Sequence, residues 1–435
     1  MQASIARAAR LAALVGALAP GAVMAQGSSV YTQSACVSGR AGTGVARPCA
    51  DGSAIFYNPA GVAVLPGALG AGVTWIRTST TFTYDSTGPY GNRPSAKRGP
   101  ETTPVPHVYL TLRTGARSGF GLGVWAPYGL GLKWDPSFEG RYTGYDNGLR
   151  GIYVQPTAAV QLVPNRLAVG VGADFVRGSI HVRRRADAPQ LGLDGTDVAD
   201  VNLEGDGHGV TGHVGLWWRA APWLDVGARY LHSAKVDMDG RADFTQLPTG
   251  TPFDALLAPQ FAAGGRFEDQ RVRTSLTFPP QFVVGVAVRA RPRVAVLFDY
   301  QWIGWSTFDT LKVDFEKDQT PDENVALNYR DASAYRLGVE ADLTPTFQLR
   351  GGFLYNTAAT PRATPLLPEG ERNYLTVGFG YRYTPRLHLD AVYQYIRQED
   401  RRGSVRPGGP EVGVYQADAS VFGFTVTYRL GGTGN

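Results

Sequence analysis

No stretch after residue 25 approaches the ~20 consecutive apolar residues that a membrane-spanning helix requires, and the mean hydropathy is only −0.16. Helical spans are therefore excluded. Charge is also scarce: 18% of residues are charged, and no basic patch stands out along the chain, which argues against a nucleic-acid partner. With two cysteines, Cys36 and Cys49, the chain cannot build a cysteine-rich metal cluster. No glycine-rich phosphate loop enters a helix, and no Ser-His pairing stands out as a hydrolytic site. The six histidines are His107, His181, His208, His213, His232 and His388. Asp206, His208 and His213 imitate a metal-ligand set, but they lack helical spacing and cysteine support. No catalytic residues, metal or cofactor are expected, and the chain does not read as an enzyme.

Glycine is plentiful at 55 residues and tyrosine at 21, and the chain opens with an export address. Arg7 and Arg10 form its basic region, Leu11 to Pro20 its short apolar core, and Val23-Met24-Ala25 its cleavage site. Residues 1–25 are expected to be removed. The residues just before Cys36 form no apolar signal core, so lipidation there is not expected.

Alternation at period two carries the architecture. Leu167, Val169, Val171, Ala173 and Phe175 share one face of a strand, and Ala168, Gly170, Gly172 and Asp174 the other. Leu375 to Tyr383 and Phe422 to Leu430 repeat the pattern. Short connections near 114–115, 163–166, 221–223, 291–293, 344–346 and 384–386 alternate with long polar ones. The long connections fall near 85–104, 134–148, 185–207, 238–272, 309–330, 358–372 and 398–418. This is the rhythm of periplasmic turns and extracellular loops in an outer-membrane barrel. Counting between them predicts an all-β, antiparallel transmembrane barrel of about 14 strands. Trp75, Tyr109, Trp125, Tyr153, Trp217, Tyr230, Tyr300, Tyr381, Tyr393 and Tyr428 are expected to form interfacial girdles.

The most specific string is Asp51 to Gly67, DGSAIFYNPAGVAVLPG, immediately before the first strand. It resembles the N-terminal plug, or hatch, of the FadL-type outer-membrane long-chain fatty-acid transport family, where an Asn-Pro-Ala motif lies just ahead of the barrel. Ala126-Pro127-Tyr128-Gly129 and Phe138-Glu139-Gly140-Arg141-Tyr142 are similar to that family's third strand and second loop. Leu276-Thr277-Phe278-Pro279-Pro280 and Tyr335-Arg336-Leu337-Gly338 resemble later strands. Two features depart from the family. Gly423-x-x-Val426-x-Tyr428 matches the signal read by the barrel-assembly machinery, but Arg429-Leu430 and a glycine-rich tail follow it. Cys36 and Cys49 are also not required by the family. An even pair in one small exported segment favours a disulfide.

The resemblance implies a hatch over 26–68, a barrel over 69–430 and a tail over 431–435. It implies a monomer in the bacterial outer membrane, in contact with lipid and lipopolysaccharide, that takes up hydrophobic small molecules such as fatty acids or hydrocarbons. Asn58, Pro59, Ala60 and Gly61 would form the hatch gate. A kink in the third strand, opening the wall laterally, would fall at Pro127, Gly129 and Gly131. The apolar loop carrying Phe253, Leu256, Leu257 and Phe261 would capture substrate, or else pack on itself. A diffusion pore for polar solutes and a non-transporting adhesin or receptor are the alternatives. An open pore needs no plug and an adhesin no gated lumen.

Overall fold

Fourteen antiparallel strands close into a barrel in the computed structural model, which describes residues 29–430 apart from Asp309 and Pro407. The expected signal peptide and C-terminal tail lie outside the described residues. The strands are β1 Gly67–Tyr84, β2 Ala96–Arg113, β3 Ser118–Lys133, β4 Asp146–Val163, β5 Leu167–Ala186 and β6 Ala199–Ala221. Four strands are interrupted: β7 (Leu224–Leu231, Ala234–Gln246), β8 (Gln270–Phe278, Gln281–Arg291), β9 (Val294–Ile303, Thr310–Phe315) and β10 (Glu323–Ala326, Ala332–Asp342). The circuit ends with β11 Phe347–Asn356, β12 Arg372–Arg382, β13 Leu387–Gln398 and β14 Gly413–Leu430. Strand β14 pairs back onto β1 from Gly67↔Leu430 to Tyr84↔Gly413. Closure leaves no edge to face lipid, where an unpaired peptide group costs several kcal/mol.

The face assignment of β5 follows its alternation. Val171 and Phe175 project outward and are exposed, while Ala168 and Asp174 are buried inside. On the partner strand β6, Val210, Val214, Leu216 and Trp218 continue the apolar outer band. Above Val210 the same face turns to His208, Asp206 and Glu204. A spanning strand needs only ~9–11 residues, so the 23 residues of β6 run well past the bilayer. This corrects the expected loops at 185–207 and 238–272. Beyond the bilayer the outward residues become polar and the outer apolar band that marks a spanning strand ends, while Val236, Met238 and Ala242 stay buried on the inner face.

Residues 29–66 fill the lumen with short helices. Helix α1 (Ala35–Ser38) is capped by Ser34, whose hydroxyl accepts from the Val37 amide at 3.2 Å. Helix α2 (Ala54–Tyr57) leads into a 3-10 turn, Pro59–Ala63. A disulfide joins Cys36 to Cys49, with Cα atoms 6.4 Å apart. The segment has its own aromatic core: Tyr31, Phe56 and Tyr57 meet edge to face at 4.8–5.4 Å.

The girdle expectation needs correction. Trp75, Tyr381, Tyr393 and Tyr428 are exposed on the outer face, but Tyr109, Trp125, Tyr153 and Trp217 are buried in the lumen. The Trp217 indole donates to the Ala46 carbonyl of the plug at 3.0 Å. Composition cannot separate these groups; only the parity of each position along its strand does.

Candidate functional site

Asn58 ties the plug to the wall. Its Oδ1 accepts from the Ala60 amide at 3.1 Å, capping the 3-10 turn, with Pro59 at the first position. Its Nδ2 donates to the Val45 carbonyl within the plug at 2.6 Å and to the Leu216 carbonyl of β6 at 2.9 Å. Inner-wall glycines let this corner sit directly on the sheet. A Cβ at Gly215 would fall 2.3 Å from Asn58 Oδ1, and one at Gly170 would fall 2.3 Å from the Pro59 carbonyl carbon. Gly61 plays the same part inside the plug, where a Cβ would meet Pro48 at 2.8 Å and Ala54 at 2.9 Å.

Charge completes the seating. Arg40 of the plug reaches Glu340 of β10 at 2.6 Å, and Arg47 joins it at 3.1 Å. Burial pulls the Arg40 guanidinium below its ordinary range, against the pull of Glu340. Asp299 of β9 accepts from the amides of Gly44 at 2.8 Å and Val45 at 3.1 Å. Breaking a buried pair of this kind typically costs ~3–5 kcal/mol.

A gap opens in the wall between β2 and β3. Their ladder runs only from Arg113↔Gly119 up to Val108↔Val124. Above it β2 stays paired to β1 as far as Ala96, and β3 to β4 as far as Lys133. The β3–β4 register shifts between Trp125 and Tyr128, so the irregularity falls at Ala126-Pro127. Gly129 and Gly131 lie beyond it in regular pairing with Arg150 and Gly148.

The start of the plug occupies this gap. The Val30 amide donates to the Pro127 carbonyl at 2.7 Å. Gln33 Nε2 donates to the Ala126 carbonyl at 2.8 Å, and Gln33 Oε1 accepts from the Ala126 amide at 3.4 Å. Val30 packs in one cluster with Val105 of β2 and Ala126 of β3.

Beside the gap lies a narrow cavity of about 40 Å³. Val30, Ile76, Leu354, Tyr374, Ile396 and Val421 give it an apolar lining. Arg336 enters it, 1% exposed, with its guanidinium 4.0 Å from the Tyr31 ring centre. One of its nitrogens donates to Gln301, but Nε and Nη1 have no partner, and neither has the nearby Gln394 Oε1.

The family model for outer membrane protein transport proteins (OMPP1/FadL/TodX) matches residues 16–430. The chain belongs to this family. It is 22% identical to the long-chain fatty acid transport protein of Escherichia coli over 82% of this chain and 84% of that one. The fold is like that of a Pseudomonas aeruginosa FadL homologue, with TM-score 0.79 and 20% identity, covering 93% and 99% of the two chains. It is also like that of the Ralstonia pickettii toluene transporter, with TM-score 0.67 and 20% identity, covering 92% and 100%. The protein is thus an outer-membrane transport protein.

Two other sets of residues separate in this FadL/TodX-type barrel. The apolar loop is a helix, α3 (Phe253–Phe261). Phe253, Leu257 and Phe261 pack against Ala188, Leu193 and Val198 of the β5–β6 loop, while Leu256 is 61% exposed. Packing therefore accounts for three of the four, and Leu256 is left facing solvent. Asp206 and His208 face outward on β6, whereas His213 is buried inside, with Nδ1 3.0 Å from Gln155 Oε1. Odd and even positions of one strand cannot converge on a metal.

Sequence reading missed Gln33, Val30 and Arg336. A signal for the gap was present in Pro104 and Pro106. Two apart, their missing N–H groups point to the same side of β2. Proline is tolerated only where a strand has no ladder partner, and β2 lacks one only toward β3.

Proposed function

We propose that this protein takes up amphiphiles with a long apolar tail and a carboxylate head, most simply long-chain fatty acids, and releases them sideways through the β2–β3 gap. One observation carries the reading: the buried Arg336 holds two idle donors in an apolar cavity next to that gap. A buried guanidinium with one bond to Gln301 and a stacking contact with Tyr31 is under-satisfied, and an anionic carboxylate is a group that its idle N–H donors attract. Burial of the tail supplies ~25 cal/mol per Å² of apolar surface. The cavity is far too small for an acyl chain, so substrate enters only when the Val30–Gln33 segment withdraws. That movement empties the gap at the same time, coupling capture to release. Any such shift requires substrate to bind the withdrawn arrangement better than the seated one.

The test is uptake of labelled oleate against labelled toluene in cells with and without the protein. Arg336→Gln is expected to lower oleate uptake at least tenfold and to spare any toluene uptake. Equal loss of both, or toluene uptake with no oleate uptake by the parent, removes the carboxylate reading. A hydrocarbon channel would then be the better description.

A further inference from the structure

Arginines that are scattered in sequence gather at one end of the barrel. The six short turns comprise residues 114–117, 164–166, 222–223, 292–293, 343–346 and 383–386. They contain Arg117, Arg166, Arg293 and Arg386, and no lysine, aspartate or glutamate. Arg291, the last residue of β8, joins them. All five are exposed. Arg386 reaches only the Tyr428 hydroxyl, at 3.5 Å. The side chains of Arg117, Arg166, Arg291 and Arg293 have no ion pair or hydrogen bond with the described residues. Nearby, Asp225 is buried and held by Arg219 and Arg289. Asp342 at the end of β10 is the one exposed carboxylate among the described residues at this rim.

The opposite end is built differently. Its long loops mix both signs and pair them: Arg406 with Asp187 and Glu139, Arg141 with Asp197, Arg402 with Asp85. The separation of sign between the two ends is therefore a property of the short-turn rim alone.

Position identifies what such a collar meets. The apolar outer face continues to the strand ends, where Leu112, Val163, Leu343 and Tyr383 are exposed. Arg117, Arg166 and Arg386 lie within three residues of exposed lipid-facing side chains. At ~3.3 Å per residue, their guanidinium groups stand at headgroup depth. A guanidinium there grips a phosphate through paired N–H donors.

We propose that this collar binds the phosphate groups of anionic phospholipids in the periplasmic leaflet. It would hold a shell of such lipids and fix the depth of the barrel. The lipids would bind around the outside of the rim, apart from the lumen and its substrate.

The test is native mass spectrometry of the detergent-purified protein, titrated with an equimolar mixture of phosphatidylglycerol and phosphatidylcholine. The parent is expected to retain phosphatidylglycerol at least threefold over phosphatidylcholine. A variant with Arg117→Gln, Arg166→Gln, Arg291→Gln and Arg293→Gln should bring that ratio close to one while keeping heat-modifiable gel mobility. A control carries the same charge change at the other end: Arg177→Gln, Arg241→Gln, Arg271→Gln and Arg273→Gln. It should keep the parental ratio. A parental ratio near one, an unchanged ratio in the collar variant, or an equal fall in the control overturns the proposal. Should the collar variant not assemble, Arg291→Gln with Arg293→Gln alone, both in one turn, must still lower the ratio measurably.

Discussion

Replacing Gly170 by alanine adds one methyl group to the inner wall, at the point where the Asn58-Pro59 corner rests. The new Cβ would lie 2.3 Å from the Pro59 carbonyl carbon and 2.5 Å from the Ala60 nitrogen. Both are backbone atoms of a turn pinned by Asn58, so no side chain can swing aside. Either the plug or the wall must move. Overpacking of this kind costs ~1–3 kcal/mol, and the cost falls only on the arrangement in which the plug is seated. The ratio of displaced to seated plug should therefore rise by ~5–150-fold. Single-channel recording in planar bilayers reads that ratio as the frequency of openings. At least a fivefold increase is expected, with normal heat-modifiable mobility showing that the barrel itself has formed. Gly212→Ala is the matched control, because a Cβ there meets nothing nearer than the Gly172 carbonyl oxygen at 3.9 Å. Parental opening frequency in Gly170→Ala, or an equal increase in Gly212→Ala, would refute the view that the corner holds the gate by contact with the wall.

Gln33→Ala removes both bonds to Ala126 and should weaken closure of the gap by ~1–3 kcal/mol, the usual cost of leaving buried backbone groups unpaired. Preloaded substrate should then leave reconstituted protein faster, and an unchanged release rate would show that Gln33 is not the latch. Leu256→Ser should raise the substrate concentration needed for half-maximal uptake, because Leu256 alone of the four large apolar residues of α3 faces solvent. Leu257→Ser should instead make α3 more sensitive to protease, and the reverse pattern would rule out capture at Leu256.

Legibility in the sequence followed the physics of each feature. The outer band was plain because lipid accepts only apolar side chains, so β5 and β12 alternate without exception across the bilayer. The short turns were plain because Pro164-Asn165 and Thr384-Pro385 leave the chain little choice. The extracellular halves of β5 to β8 were not, since there the outward residues turn polar, as Lys235, Asp237 and Asp239 do on β7, and the apolar side chains, Val236 and Met238, point inward. The lumen-facing aromatics were misplaced for a related reason. Trp125 and Tyr153 are as amphipathic as Trp75, and β propensity is blind to which side of the sheet a ring occupies.

The gap illustrates what one strand's residues cannot say alone. Pro127 marks an irregularity in β3, but a bulge by itself only bends a strand. What makes an opening is coincidence across the ladder: Pro104 and Pro106 on β2 stand where β3 would otherwise pair, and β3 is displaced at Ala126-Pro127 on the facing side. Neither strand satisfies the other, and lipid cannot satisfy either. On the β3 side the plug resolves the deficit, since Val30 and Gln33 supply the groups that Ala126 and Pro127 need. Buried peptide groups must find partners, so the plug cannot leave the gap without something changing in the wall or taking its place. On the proposed function, the same requirement would keep the barrel shut when empty and make an amphiphile with hydrogen-bonding head and apolar tail a suitable replacement. Closure and release would then be two outcomes of one competition for the Ala126-Pro127 peptide groups.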